Sequence, residues 1–333
     1  MTGSRNRYRH KKEPKASEYR KPYARTSVHV SQRRMHLIVH ILKCAMVTSG
    51  VPEYRHARSN HVYSYRQKIA LLVMKEYFGV PFRRMGDLIG SNPVITETLD
   101  LEFIPHYSTM AKFSCSVDRE DLKRVIRVFQ ALAVKGGIAA VDGTCLSDRG
   151  RSIHFEKRMN DFGQGPTVRI LTKVSIVADT ENKIVLAADV SSSHRHDITF
   201  MPEMIGQLHG CPIGVLVADK GYDSERVHLS VRKELGIRFL TPCKGRPTVP
   251  AKHVTGHFRR YMRQFLGPKC TNFTLAYQMR SIVETVNSMI KRVFGSMLRS
   301  RNPVNREIET FARIIAHNLR QSMSIDRAWL IVL

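Results

Sequence analysis

Residues 137–144, GIAAVDGT, form a short apolar run that ends in an acidic residue, Asp142, followed at once by a glycine. Residues 214–223, GVLVADKGYD, repeat this pattern with Asp219 near the end of the run. Short apolar runs bounded by turn residues are typical of buried strands. Because ligands bind where the strands of an open sheet end, each run places a carboxylate at a candidate site. A strand-end Asp also commonly caps a following helix, so either residue alone is a weak signal.

The segments around these two runs predict a mixed α/β sheet flanked by helices. Two β-branched runs, residues 168–179 and 183–190, are joined by a polar turn and therefore predict a β-hairpin. Helices are predicted over residues 199–209 and 224–235, and a further strand over residues 237–242. The resulting order is strand, hairpin, helix, strand, helix, strand and then helices. This order indicates a mixed sheet rather than a series of alternating βαβ units.

Two long helices are predicted after the sheet, over about 275–297 and 303–322. The first carries a stripe of polar residues at helical spacing along one side: Tyr277, Arg280, Glu284, Asn287, Ser288 and Lys291. The opposite side is apolar and is predicted to face the core: Ile282, Val286, Met289, Ile290, Val293 and Met297. Most polar stripes are solvated faces, but this one mixes a tyrosine and cations with one carboxylate. That mixture suits a metal ion beside a phosphate group.

The charge balance points to a polyanionic partner. The chain has 54 Lys and Arg against 28 Asp and Glu, which gives a formal net charge of +26 and a pI near 10.2. Such a field attracts nucleic acid, although a ribosomal-type protein or a membrane-surface binder would carry it too. Residues 1–34 hold eleven of these cations and predict a flexible basic arm along phosphates, or a solvating tail. Residues 244–263 hold six cations and no acid, and predict a loop over DNA.

Residues 35–130 are predicted to be helical. Within them, residues 65–78 carry apolar side chains at helical spacing and are followed by a glycine that ends the helix. Several short helices joined by Gly and Pro turns fit a DNA-binding domain of the helix-turn-helix type, and they fit an ordinary helical bundle equally well. The basic charge of the chain favours the DNA-binding interpretation.

Composition excludes several classes of protein. The six cysteines form no C-x-x-C pair, so zinc-finger spacing is absent and free thiols in a reducing cytoplasm are expected. No stretch approaches 18 apolar residues, which argues against a membrane span. The N-terminus lacks the apolar region of a signal peptide. A soluble cytoplasmic protein is therefore expected.

Asp142, Asp219 and Glu284 together form a candidate metal site. Carboxylates without a nearby thiol or tight His cluster favour a hard cation with oxygen ligands, hence Mg²⁺ or Mn²⁺. Two such ions, about 4 Å apart, would activate the attacking oxygen and stabilise the leaving oxygen in phosphoryl transfer. On residue types alone, the reaction is metal-assisted cleavage or transfer of phosphodiesters. A further acid, Asp197, is interpreted either as structural or as close to this pocket.

These motifs resemble those of the DDE transposases of bacterial and archaeal insertion sequences. The resemblance is to the group marked by Y-x2-R-x3-E-x6-K, whose spacings are all matched here by Tyr277, Arg280, Glu284 and Lys291. Residues 142–144 resemble the DG[ST] block of the family, and residues 218–223 resemble its ADKGYD block. Residues 104–113, IPHYSTMAKF, are similar to the P-x-YST segment that precedes the catalytic domain. The resemblance covers roughly residues 60–320.

The resemblance implies an RNase H-like catalytic domain over residues 135–322, with a helical DNA-binding domain before it and a C-terminal tail at 323–333. It implies three metal ligands: Asp142, Asp219 and Glu284. It implies three contacts to DNA near the cleavage site: Tyr277, Arg280 and Lys291. The implied partners are the terminal inverted repeats of a transposon and its target DNA, bound at the nucleoid by a possible homodimer. The implied reaction is hydrolysis at the 3′ end of the element, followed by attack of that 3′-hydroxyl on target DNA.

Two other functions are compatible with the same residues. A structure-specific nuclease could use three acids without transferring a strand. A non-catalytic DNA-binding protein derived from a transposase would keep the basic charge and lose the chemistry. The polar stripe favours the transposase over the nuclease, and the presence of all three acids argues against decay at the site.

Overall fold

The structure is a computed structural model that describes the following residues: 28–58, 60–148, 171–193, 195–245, 250–265, 271–325 and 331. The helices are α1 (Val28–Thr48), α2 (Tyr65–Phe78), α3 (Phe82–Gly90), α4 (Pro93–Thr98), α5 (Tyr107–Ser114), α6 (Arg119–Val128), α7 (Met201–Gln207), α8 (Glu225–Glu234), α9 (His257–Phe265), α10 (Thr271–Gln278), α11 (Ser281–Phe294) and α12 (Pro303–Ser322). The strands are β1 (Ile138–Asp148), β2 (Leu171–Asp179), β3 (Val185–Ser191), β4 (Val215–Ala218), β5 (Arg238–Leu240) and β6 (Met297–Leu298). Within these ranges, no helix is long and apolar enough to cross a lipid bilayer.

Strand β1 lies at the centre of one six-stranded sheet. The order across the sheet is β3-β2-β1-β4-β5, and β6 pairs with the far end of β1. The pairs β1–β2 and β2–β3 are antiparallel, whereas β1–β4 and β4–β5 are parallel. The mixed α/β sheet flanked by helices that the sequence predicts is therefore confirmed.

Strands β3 and β4 are buried along their whole length, which explains their sequence. Every residue of β3 and of β4 is buried, and β3 packs against α6, α7 and α12. A strand covered on both sides carries a near-continuous apolar run instead of an alternating one. The apolar runs before Asp142 and Asp219 are of this kind. Asp219 follows the end of β4, but β1 continues to Asp148, so the prediction that a strand ends at Asp142 is wrong.

The N-terminal helices and the sheet share one apolar core. α2 starts with a capping box between Ser64 and Gln67 and ends at Gly79, whose φ of 66° is left-handed. Its buried side packs on α12, which also contacts α6 and β3. Buried apolar side chains therefore continue from α1 to α12 as one cluster. α12 therefore joins α2 and α6 to the sheet, and α6 also packs on β3 directly.

The predicted basic arm is too long at its C-terminal end. Helix α1 begins at Val28, so residues 28–34 are helical where a flexible arm is predicted. Residues such as Arg33 and Met35 have high helix propensity, and the positive charge that suggested an arm does not prevent a helix. Residues 1–27, the rest of the predicted arm, lie outside the described residues.

The long helix predicted over 275–297 is interrupted. The structure has α10 and α11 instead, joined by i→i+3 bonds: the N–H of Arg280 donates to Tyr277 O at 3.0 Å, and that of Val283 donates to Arg280 O at 3.2 Å. The buried face of α11 is formed by Val283, Val286, Asn287, Ile290 and Phe294. Val293 and Met297, which were predicted to face the core, lie outside this face and are exposed.

The basic stretch 244–263 includes most of helix α9 rather than a loop alone. Two carboxylates from the preceding part of the chain hold this helix. Glu225 accepts the backbone N–H of Phe258 at 3.1 Å, and Asp223 accepts Nε of Arg259 at 3.0 Å. These partners lie more than thirty residues earlier in the sequence, so the local excess of cations gave no sign of them.

Candidate active site

Asp142 and Asp219 lie side by side at the point where the pairing between β1 and β4 ends. Val141 on β1 is in parallel register with Ala218 on β4, and each acid is the next residue along its chain. The Asp219 side chain accepts a hydrogen bond from the backbone N–H of Gly221, which starts a tight 3₁₀ turn. The strand register therefore brings two of the three predicted acids together. Asp219 follows the end of β4, whereas Asp142 lies within β1, at the point where its pairing with β4 ends.

Glu284 reaches this part of the sheet on α11, which packs on β1 and β2. It lies in the first turn of α11, where the helix dipole favours a carboxylate. Asp142 and Glu284 face a common open groove, here called the Glu284 groove, whose other lining residues are Thr144, Asn287, Ser288, Lys291, Arg292 and Ser296. Asn287 is buried, and its Nδ2 lies 3.5 Å from Oδ2 of Asp142.

The other two acids act electrostatically on Asp142. Burial raises the pKa of Asp142 above its ordinary value, and the negative charges of Glu284 and Asp219 raise it further. The backbone N–H of Gly143 and the Arg280 cation oppose this rise in pKa. Neighbouring carboxylates disfavour one another's charged forms. The two neighbouring acids therefore make the ionised form of Asp142 less favourable.

A fourth carboxylate, Asp197, lies at the same site. Its Oδ1 is 2.9 Å from Nζ of Lys173 on β2, and it lies against the backbone of Gly143. The buried hydroxyl of Tyr222 is affected by these charges as well, because burial and three nearby carboxylates, Asp197 among them, raise the pKa of Tyr222. Sequence reasoning left Asp197 open between a structural role and this one. It missed Lys173, since nothing in the local sequence distinguishes this residue from an exposed strand lysine.

The residues predicted to contact DNA have different surroundings. Nη1 of Arg280 donates to Oε1 of Glu284 at 2.7 Å, and the Arg280 side chain is also hydrogen-bonded to Tyr277. Lys291 lines the Glu284 groove and forms no ion pair with an acid of the described ranges. Arg280 therefore already has an ionic partner, the predicted catalytic Glu284. Lys291 has no such partner and can bind an anion.

Comparison with known proteins decides the family. A cryo-EM structure of a piggyBac transposase synaptic complex with hairpin DNA is similar at 12% identity and a TM-score of 0.42, over 89% of this chain and 76% of that chain. Residues 135–319, more than half of the 333, match the family model described as a transposase DDE domain. The chain belongs to the DDE transposase family. This transposase is accordingly a DNA-cleaving and strand-transferring enzyme, and the match favours neither the separate nuclease nor the non-catalytic binder.

DDE transposases generally use divalent metal ions, so the three acids have to be compared with what such ions require. The donor chemistry of this transposase fits, because carboxylates line the Glu284 groove and neither thiol nor imidazole does among its described lining residues. The three acids are nevertheless too far apart to form a complete ligand set. In the part of the chain that the structure describes, no three His, Cys, Asp or Glu side chains are grouped to hold a metal. The bond from Arg280 is one contact that keeps the half-exposed Glu284 side chain on its own helix.

Proposed function

We propose that this transposase is encoded by a bacterial or archaeal insertion sequence, and that Asp142, Asp219 and Glu284 are its catalytic residues and metal ligands. The observation that carries the proposal is the parallel register of β1 and β4. It sets Asp142 beside Asp219, at an edge where Asp142 and Glu284 line one groove. The Y-x2-R-x3-E-x6-K spacing from Tyr277 to Lys291 supports the insertion-sequence group.

The proposed reaction has two steps on DNA. First, a water oxygen bonds to the phosphorus at the end of the element, the bond to the 3′-oxygen breaks, and a 3′-hydroxyl is released. Second, the oxygen of this hydroxyl bonds to a phosphorus of target DNA and displaces the 3′-oxygen of the target. Bound Mg²⁺ or Mn²⁺, two ions in this proposal, would activate the attacking oxygen and stabilise the leaving one.

The residues around the three acids would bind and orient. Asn287, 3.5 Å from Asp142, would hold that carboxylate in place. Lys291 would bind a phosphate oxygen in the Glu284 groove, because it has a charge and no acidic partner in the described ranges. Arg280 would exchange its bond with Glu284 for a DNA phosphate, and Tyr277 would accompany it to the DNA.

The remaining parts of the chain would bind the substrates. We assign the terminal inverted repeats of the transposon to the helical region 35–130 and to any basic arm before it, and the cleavage and target DNA to an RNase H-like domain over 135–322, with a tail at 323–333. The net charge of +26 supports an extended DNA interface. Because transposition joins two transposon ends to target DNA, we propose that the chain acts as a homodimer on DNA. Such a complex would act at the nucleoid in the cytoplasm.

Cleavage of DNA that carries the ends of the encoding element tests this proposal. The DNA is incubated with Mg²⁺ or Mn²⁺ and either wild type or one of three variants: Asp142→Asn, Asp219→Asn and Glu284→Gln. Glu234→Gln, an exposed acid on α8, is the matched control. We expect metal-dependent nicking and joining by wild type and control, and intact DNA binding without cleavage by the three variants. Full activity in any of the three removes that residue from the site. Tight binding by folded wild type without metal-dependent cleavage contradicts the proposal.

A further inference from the structure

Ser296 lines two grooves at once. One is the Glu284 groove. The other, here called the flank groove, is lined by Gly79, Pro81, Phe294, Gly295, Ser296, Met297 and Arg299. The two grooves therefore adjoin at the turn that follows α11. Because Pro81 immediately precedes α3, the surface formed by the two adjoining grooves reaches from the predicted catalytic acids to the N-terminal helices.

Cationic side chains lie along the surface formed by the two grooves and the start of α3. Lys291 and Arg292 line the Glu284 groove, Arg299 lines the flank groove, and Arg83 and Arg84 lie in the first turn of α3. The four arginines are exposed. None of the five cations forms an ion pair with an acid of the described ranges. The described lining of the flank groove contains no acid, so the charge there is uncompensated.

The turn between the two grooves is held by buried ion pairs. Arg313 on α12, which is 1% exposed, donates to the backbone oxygen of Gly295 at 2.9 Å and pairs with Glu76 on α2 at 3.2 Å. Glu309, also on α12, accepts the backbone N–H of Arg299 at 2.9 Å. The backbone of this turn is therefore fixed to both α2 and α12. A cation on a fixed backbone loses less conformational entropy when it binds an anion.

The guanidinium of Arg299 connects the two regions directly. Its Nη2 donates to the backbone oxygen of Gly79 at 2.9 Å, at the end of α2. A carbonyl oxygen leaves the positive charge of the guanidinium unneutralised, and four of its five N–H groups have no part in this bond. Arg299 is thus positioned beside α3 and retains donors for an anion.

From the adjoining position of the two grooves, their cations without acidic partners and the fixed turn, we infer that the flank groove binds the backbone of duplex DNA beyond the phosphate that is cleaved. The contacts are from Arg292, Arg299 and Arg84 to phosphate oxygens. Guanidinium groups in a row bind phosphates without reading bases, so this surface contributes affinity and orientation rather than sequence specificity. The inference rests on the proposed function, because it takes the Glu284 groove as the place of cleavage.

The inference is tested by comparing the affinity of the protein for short and long DNA duplexes. Short duplexes end close to the scissile phosphate, and long duplexes continue for about one helical turn, roughly 10 base pairs, on one side or the other. Affinity is measured without metal, as a function of salt, for wild type and for the triple variant Arg84→Gln, Arg292→Gln and Arg299→Gln. The matched control removes the same charge from exposed cations of α8 and β5: Arg226→Gln, Lys233→Gln and Arg238→Gln. Arg299→Lys keeps the charge of the one arginine that also bonds to the backbone of α2.

We expect wild type and the control variant to bind one of the long duplexes more tightly than the short one. The triple variant is expected to lose this gain, with a salt slope lower by about 0.9 for each phosphate contact removed. Arg299→Lys is expected to keep most of it. A full gain in the triple variant, or an equal loss in the control, overturns the inference. Cleavage of the same duplexes by wild type is measured separately, so absence of cleavage refutes the proposed function without deciding the DNA path.

Discussion

Oδ1 of Asp197 occupies the space that a Cβ at Gly143 would fill, and its Cγ would lie 3.1 Å from that atom. Gly143 follows Asp142, so the residue after the first predicted catalytic acid has to be small for a reason outside its own strand. The position of Asp197 is fixed in turn by Lys173, 2.9 Å away on the neighbouring strand β2. The glycine of the DG[ST] block thus makes room for an acid more than fifty residues later in the chain.

A double-mutant cycle measures this relationship. Gly143→Ala is expected to destabilise the wild-type protein by about 1–3 kcal/mol, because the added methyl group displaces the Asp197 carboxylate from Lys173. In an Asp197→Ala background the same change is expected to cost little, so the coupling between the two substitutions exceeds about 0.5 kcal/mol. The free energies of unfolding come from urea titrations. Additive effects of the two substitutions would show that the two residues do not compete for space.

Arg280 is expected to compete with metal ions for Glu284. Their bond is short but exposed, and exposed ion pairs are worth roughly 0.2–1 kcal/mol. In the protein without DNA, Arg280→Gln is therefore expected to raise Mn²⁺ affinity about two- to fivefold, measured by calorimetry. Arg292→Gln is the control, since it removes a charge from the same groove without freeing Glu284. Equal effects of the two substitutions would attribute the change to charge alone, and no effect of Arg280→Gln would exclude the competition.

The elements that follow from local pattern could be predicted, and α2 and α12 have the predicted bounds. Their caps and apolar periodicity lie within the helices themselves, so the sequence contains what determines them. Contacts between distant segments could not be predicted in this way. Arg313 and Glu76 are 237 residues apart, and neither has a local pattern that identifies the other as its partner.

The candidate site could be predicted in part for the same reason. The strand-end position of Asp219 follows from its apolar run, whereas β1 continues beyond Asp142, because its pairing with β2 extends further along the chain. The adjacency of the two acids depends on the order of strands in the sheet. The bond between Arg280 and Glu284 could have been predicted from the sequence, because residues four apart share one face of a helix. It was overlooked because Arg280 was interpreted as a contact to DNA. The role of the three acids as metal ligands stays a prediction.

The ion pairs of Arg313 are expected to contribute strongly to stability. Arg313→Met would leave Glu76 and Glu309 buried with part of their compensating charge removed. Breaking a buried pair from one side costs about 3–5 kcal/mol. Urea unfolding is the measurement, with Arg301→Met, an exposed arginine, as the control that changes stability by less than about 0.5 kcal/mol. A loss below about 1 kcal/mol for Arg313→Met would contradict this account of the turn between the grooves.

His317 is expected to make stability depend on pH. Burial lowers the pKa of His317 from 6.5 to about 4, and the Arg320 cation lowers it as well, although the bond to the Lys183 carbonyl at 2.9 Å opposes this. Above about pH 6.5 the neutral form is present in both states, and stability is complete. As the pH falls towards 4, the unfolded chain takes up a proton that the folded chain does not, so stability falls by up to about 1.4 kcal/mol per pH unit.

The comparison with His317→Gln isolates this contribution, because glutamine donates to the same carbonyl and does not titrate. Free energies of unfolding are measured between pH 7.5 and 4.5 for both proteins. The wild type is expected to lose more stability than the variant over this interval. Parallel curves would mean that His317 takes up its proton without unfolding.

Mn²⁺ binding to the complex of the protein with DNA from the element ends tests most directly whether Asp142, Asp219 and Glu284 form one metal site. Affinity is measured for wild type, Asp142→Asn, Asp219→Asn and Glu284→Gln, with Glu234→Gln as the control. We expect each of the three substitutions to weaken Mn²⁺ binding at least about tenfold. Substitution of residues that only hydrogen-bond to metal ligands already causes losses of that size. The control is expected to bind like wild type. Wild-type Mn²⁺ affinity in any of the three site variants would contradict the assignment of that residue, and in all three it would contradict the site as a whole.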